Sequence, residues 1–214
     1  WSRNQVYPKL GFDEMHFMDD FDQSRILREY ITDQEMYDKI IDRYESRASN
    51  ENLFIMGITM QNHGGYADSY SNFHEEIYKT GRSYTDVNQY LSLVHESDKA
   101  VQSLISYFKN VDDPVEIVFF GDHQPSLNSA FYQMMNGKGL SNLTMEELED
   151  LYKVPFFIWT NYDSTEENVD ITSIDYLSTM ALKQAGIALP AYNQFLSDMM
   201  EVVPAINSRG YYSR

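Results

Sequence analysis

Ile117-Val118-Phe119-Phe120-Gly121-Asp122-His123-Gln124-Pro125 is the stretch whose reading decides the fold. Four apolar residues run into a glycine, then a carboxylate and an imidazole side by side. An apolar, β-branched and aromatic run bounded by Pro114 and Gly121 predicts a buried strand over 115–120. Gly121 lets the backbone turn so that the next two side chains converge. A hard carboxylate oxygen beside a neutral imidazole suits Zn²⁺ or Mn²⁺. Spacing alone also allows a plainer reading, with Asp122 capping a helix that starts near Pro125 and His123 a solvated loop residue.

Working outward, residues 53–60 and 154–160 are similar apolar runs and predict two more strands. Val87, Tyr90, Leu91, Val94, Val101, Leu104, Ile105 and Phe108 recur at three- and four-residue steps, which predicts a long amphipathic helix from Asp86. Asp33 is expected to cap a helix over 34–47. Thr144 and Glu147 have capping-box spacing. Further helices are expected over 127–135, 171–185 and 192–202. Strands alternating with helices predict an α/β fold with a largely parallel sheet flanked by helices, read as one continuous unit over residues 1–214.

The formal charge is −17, from 33 acidic and 16 basic residues. Binding nucleic acid through its phosphates wants the opposite sign, so no nucleic-acid partner is expected. An acidic chain that handles an anion needs a local positive centre, a metal ion or a placed arginine. There is no cysteine, which excludes disulfides and thiolate metal sites. No apolar stretch is long enough to cross a bilayer, and the chain is expected to be soluble. It begins at Trp1, which reads as a piece of a longer polypeptide, so the absence of an anchor or export signal here proves nothing.

In open α/β sheets ligands sit beyond the carboxyl ends of the strands. His63, after the 53–60 run and before Gly64-Gly65, is placed there to bind a phosphate or act as an acid. Arg3 could clamp an anionic oxygen with the Trp1 indole as a wall. A loop histidine in a turn and a surface arginine near a frayed end are the plainer readings. The expectation is that His63 and the Asp122–His123 couple surround one phosphate pocket. Asp98 is expected on the apolar side of the long helix as a hydrogen-bonded structural carboxylate.

The strand-Gly-Asp-His element resembles that of lipoteichoic acid synthases and related phosphoglycerol transferases, sulfatase-like members of the alkaline phosphatase superfamily. Trp1-Ser2-Arg3 with Tyr7 and Gly11-Phe12-Asp13, the run Phe54 to His63, and Ser173-Ile174-Asp175-Tyr176-Leu177 with Ala185-Gly186-Ile187 resemble family segments in the same order. The resemblance implies the C-terminal portion of one sulfatase-like catalytic domain. It implies Asp122 and His123 as ligands of Mn²⁺ or Mg²⁺, with Zn²⁺ as the alternative, weakly held here. Trp1, Arg3 and His63 would hold a phosphoglycerol group on a lipid or glycan, at the outer face of the cell membrane. The family's threonine nucleophile and glutamate ligand would lie before Trp1, in the remainder of the parent chain, leaving this piece inactive alone. A sulfatase or phosphodiesterase, and a non-catalytic module binding glycan or teichoic acid, are the competing readings.

Overall fold

The computed structural model describes residues 2–207 and 210–212, apart from the side chain of Tyr212. The chain forms two compact units, one of Trp1–Tyr107 with Pro125–Gly137, the other of Phe108–Gln124 with Lys138–Arg214.

The first unit opens with a single helical turn, α1 (Arg3–Val6), continued as a 3₁₀ turn that stops at Gly11, whose φ of +93° ends it. A small hairpin follows, β1 (Ile26–Leu27) against β2 (Tyr30–Ile31). Helix α2 (Asp33–Glu45) is capped by Thr32, whose hydroxyl accepts from the Glu35 amide. Thr32 therefore takes the capping role expected of Asp33, which is instead the first helical residue and is buried. Helix α3 (Thr85–Phe108) is the predicted long helix. Its buried Leu93 packs with Tyr66 and Phe73, and Leu27, Tyr70, Tyr90 and Leu127 close around them. Helix α4 (Ser129–Asn136) starts at the Asn128 cap.

Residues 53–60 depart from expectation. They form no strand among the described residues, and Phe54 is 82% exposed. A strand is held by its neighbours' hydrogen bonds, and an apolar sequence without paired neighbours remains an extended segment. Its contact with α2 runs through Gly57, which faces Ile40 and Met36.

In the second unit β3 (Glu116–Phe120) pairs with β4 (Phe156–Thr160). The intervening α5 (Met145–Asp150) carries the complete Thr144–Glu147 capping box. Helices α6 (Ile174–Gln184) and α7 (Ala191–Val202) pack together, burying Tyr176, Leu177 and Leu196. Strand β5 (Ala205–Ile206) pairs with β6 (Tyr211–Tyr212). The mixed helix and sheet content is as expected, but every pairing among the described residues is antiparallel, not parallel. In the β3–β4 ladder Phe120 faces Phe156 and Glu116 faces Thr160, and Phe119 stacks on Phe157 at 5.1 Å. Hydrophobic periodicity marks a strand without fixing its partner's direction.

Candidate functional site

In the second unit, β3 delivers its loop through a close approach. A Cβ on Gly121 would lie 3.0 Å from the Val154 Cβ, and the Gly121 amide donates to the Pro155 carbonyl at 3.1 Å. Glycine lets the strand end this close to its neighbour without crowding; any Cβ would have to push Val154 aside. Beyond it, Asp122 Oδ2 and His123 Nε2 stand 3.4 Å apart, their side chains 83% and 71% exposed. Asp122 Oδ1 accepts from the His123 amide at 2.9 Å. His123 Nδ1 lies 2.9 Å from the Gln124 carbonyl. A carbonyl can only accept, so Nδ1 carries a proton, and Nε2 is the ring nitrogen that stands beside the carboxylate. Metal-binding histidines are oriented in this way, through the nitrogen that is not a ligand. The pair fits two ligands of a divalent cation. Among the described residues no group of three or more His, Asp or Glu is gathered to hold one.

In the first unit, His63 is exposed at the turn that follows the extended run, its amide bonded to the Met60 carbonyl at 2.9 Å. The two residues before it are anchored inward. Gln61 accepts from the Asp33 amide at 3.0 Å and donates to Ser97 Oγ at 3.2 Å. Asn62 Nδ2 donates to the same Ser97 oxygen at 2.8 Å. Tyr66 Oη donates to the Asn62 carbonyl at 2.7 Å. His63 Nδ1 meets Tyr30 Oη at 3.1 Å, and Arg28 Nη2 donates to the His63 carbonyl at 2.7 Å.

Arg3 begins α1, half-buried, with no side-chain hydrogen bond or ion pair among the described residues. Trp1 lies outside the described residues. Asp98 is exposed, and the buried polar residue on that turn of α3 is Ser97. Sequence reasoning missed Arg28, Tyr30 and Ser97. Leu27-Arg28-Glu29-Tyr30 reads as an ordinary polar turn, and a serine within a helix carries no signal of its own. The one available clue was Asp33-x-Glu35 directly after Thr32, a helix start with one acidic residue more than a cap requires.

The fold defines the class: a mixed α/β domain of the sulfatase-like kind. It is similar to the Streptococcus pyogenes phosphoglycerol transferase GacH, solved in complex with sn-glycerol-1-phosphate, with a TM-score of 0.72 and 20% identity over 96% of this chain and 52% of that one. The chain belongs to the sulfatase family, whose model matches residues 1–187. It is 25% identical over 210 residues to the "Putative cyclic beta-1,2-glucan modification protein" of Rhizobium meliloti (strain 1021), covering 94% of this chain and 32% of that protein. It is 30% identical over 129 residues to the capsular polysaccharide biosynthesis protein RkpI of the same organism, covering 59% of this chain and 22% of RkpI. The chain therefore spans about a third or less of the length of these relatives.

Proposed function

We propose that this chain is part of a metal-dependent phosphoglycerol transferase that moves glycerol phosphate from a lipid or glycan donor to a glycan acceptor at the outer face of the cell membrane. The observation that carries this reading is the Asp122–His123 couple, a carboxylate oxygen and an imidazole nitrogen 3.4 Å apart at the carboxyl end of β3. Its setting is a chain similar in fold to a phosphoglycerol transferase. The glycan-related names of the two rhizobial relatives support an acceptor of that class.

Asp122 and His123 would hold the cation, and a bound divalent cation supplies charge neutralisation at phosphoryl oxygens and a lowered pKa for a coordinated hydroxyl. His63 donates a hydrogen bond to a phosphate oxygen, and Arg3 holds the phosphate through its planar fork of donors. The attacking hydroxyl belongs to a threonine elsewhere in the polypeptide. Its oxygen forms the bond to phosphorus as the donor alkoxide leaves, and an acceptor hydroxyl then displaces the threonine.

Glycerol-phosphate transfer by the longer protein, measured for wild type, Asp122→Asn and His123→Ala, tests the reading. Loss of at least a hundredfold in both variants is expected. Transfer retained in either variant sinks it, and glycerol phosphate released to water with every acceptor points to the hydrolase instead.

A further inference from the structure

We infer that Tyr30 and Arg28 are positioning residues for His63, fixing its imidazole with the proton on Nε2 and that edge turned outward as the donor to the substrate phosphate; this rests on the substrate role proposed above for His63. Histidine can meet an anionic oxygen as a neutral donor only if the nitrogen facing it carries hydrogen, and the bond made by the other nitrogen decides which one does. Tyr30 Oη lies 3.1 Å from Nδ1, with the two ring centroids 5.5 Å apart at 56°. Among the described residues this nitrogen is the only hydrogen-bond partner of the Tyr30 hydroxyl, and Nε2 has none. The arrangement that satisfies the hydroxyl has its O–H donating to Nδ1. The proton of the ring is then on Nε2.

Arg28 holds the backbone beneath this contact. Nη2 donates to the carbonyls of His63 at 2.7 Å and Gly64 at 3.4 Å, and Nη1 donates to Gln89 Oε1 at 3.2 Å. The guanidinium sits 5.4 Å from the ring centroids of both Tyr66 and Tyr70. The residue is 4% exposed, and no carboxylate pairs with it among the described residues. Burying a cation without a counter-ion is expensive, and its Nε also lacks a partner. Arg28 has a φ of +57° at the first turn position of the β1–β2 hairpin, a conformation that glycine adopts without strain. A strained backbone and an uncompensated charge are retained together at the point that orients His63. The charge has a use there: in a chain of net charge −17 it makes the His63 loop locally favourable to an anion.

The test is long-range ¹H–¹⁵N NMR of the histidine rings in this chain, with and without sn-glycerol-1-phosphate. Wild-type His63 is expected to show a protonated Nε2 and a bare Nδ1, with Nε2 moving on addition of the ligand. In Tyr30→Phe the two nitrogens should shift toward the averaged values of a free imidazole. Ligand affinity should fall about three- to tenfold, the loss of one ordinary hydrogen bond. Arg28→Lys keeps the charge and loses the fork, so it should weaken ligand binding by a similar factor while leaving the tautomer intact. A ligand response with a tautomer unchanged in Tyr30→Phe overturns the positioning alone. A Tyr30-dependent tautomer with no ligand response at His63 overturns its phosphate role. Affinity within twofold of wild type in Arg28→Lys removes Arg28 from the assignment.

Discussion

The Ser97 hydroxyl of α3 donates to Asp33 Oδ2 of α2 at 2.5 Å, and the same serine oxygen receives the side chains of Gln61 and Asn62. One hydroxyl thus ties two helices to the pair of residues that precede His63. All the groups of this knot are buried or half-buried. Asp33 Oδ1 alone in this knot is buried without a hydrogen-bond partner; the other groups satisfy one another, and rearranging them would strand further polar atoms.

Asp33 gives the network a pH signature. Burial raises its carboxyl above the usual range, opposed by the Ser97 hydrogen bond and then by Thr59. The folded chain therefore holds the Asp33 proton more tightly than the unfolded chain does. The stability from this group is fully present below the unfolded pKa of about 3.9 and is lost as pH rises through the folded value. Asp33→Asn, neutral and of the same shape, should flatten that part of the stability–pH curve. Asp33→Ala should cost about 1–3 kcal/mol by stranding the Ser97 hydroxyl, while Gln61 keeps its bond from the Asp33 backbone amide. Denaturant unfolding at a series of pH values reads both, and a slope unchanged in Asp33→Asn would show that the carboxyl is ordinary.

Gly121 is predicted to be intolerant for a reason of space. A methyl group there meets Val154 at 3.0 Å, and the strand end must shift to admit it. Gly121→Ala should lower stability by about 1–3 kcal/mol, as overpacking does. Val154→Gly in the same chain should recover part of the loss, since the nearest atom in the way is the Val154 Cβ, which alanine would keep. Independent, additive effects of the two substitutions on the melting temperature would refute the contact as the cause.

Residues 53–60 carry a prediction of the opposite sign. With Phe54 82% exposed, Phe54→Ser should change the unfolding free energy by less than about 0.5 kcal/mol. It should also reduce self-association, because an exposed apolar extended segment is a ready template for pairing. Sedimentation velocity and denaturant unfolding on the two chains decide it. A loss well beyond that figure would mean that Phe54 packs in solution, beyond its 5.9 Å approach to Phe12.

What the sequence disclosed divides along the same line. Helix α3, the Thr144–Glu147 capping box, β3, β4 and the Gly121-Asp122-His123 turn are local, and each follows from residues within a few positions of one another. The antiparallel direction of β3 against β4 depends on partners 36 to 44 residues apart, which periodicity does not encode. Arg28 is buried only because Tyr66 and Tyr70 fold over it, and Ser97 acquires its role from Asp33, 64 residues away. Composition showed the polar residues; distant chain contacts determined which of them matter.

Asp122 and His123 should behave as one unit toward a cation. Their facing atoms are 3.4 Å apart, and the carboxylate oxygen that does not face the imidazole is occupied by the His123 amide. Asp122→Asn removes the charge and leaves the shape, while His123→Ala removes the lone pair. Two ligands that bind one ion couple, so deleting the second after the first should cost far less than deleting it from wild type. Mn²⁺ titration followed by electron paramagnetic resonance is the measurement. Each single variant should lower affinity at least tenfold, with the double variant little weaker than either. Singles whose losses multiply in the double variant would mean that the two residues bind separate ions, or none. The orientation of His123 by the Gln124 carbonyl would then be a feature of the loop and not of a metal site.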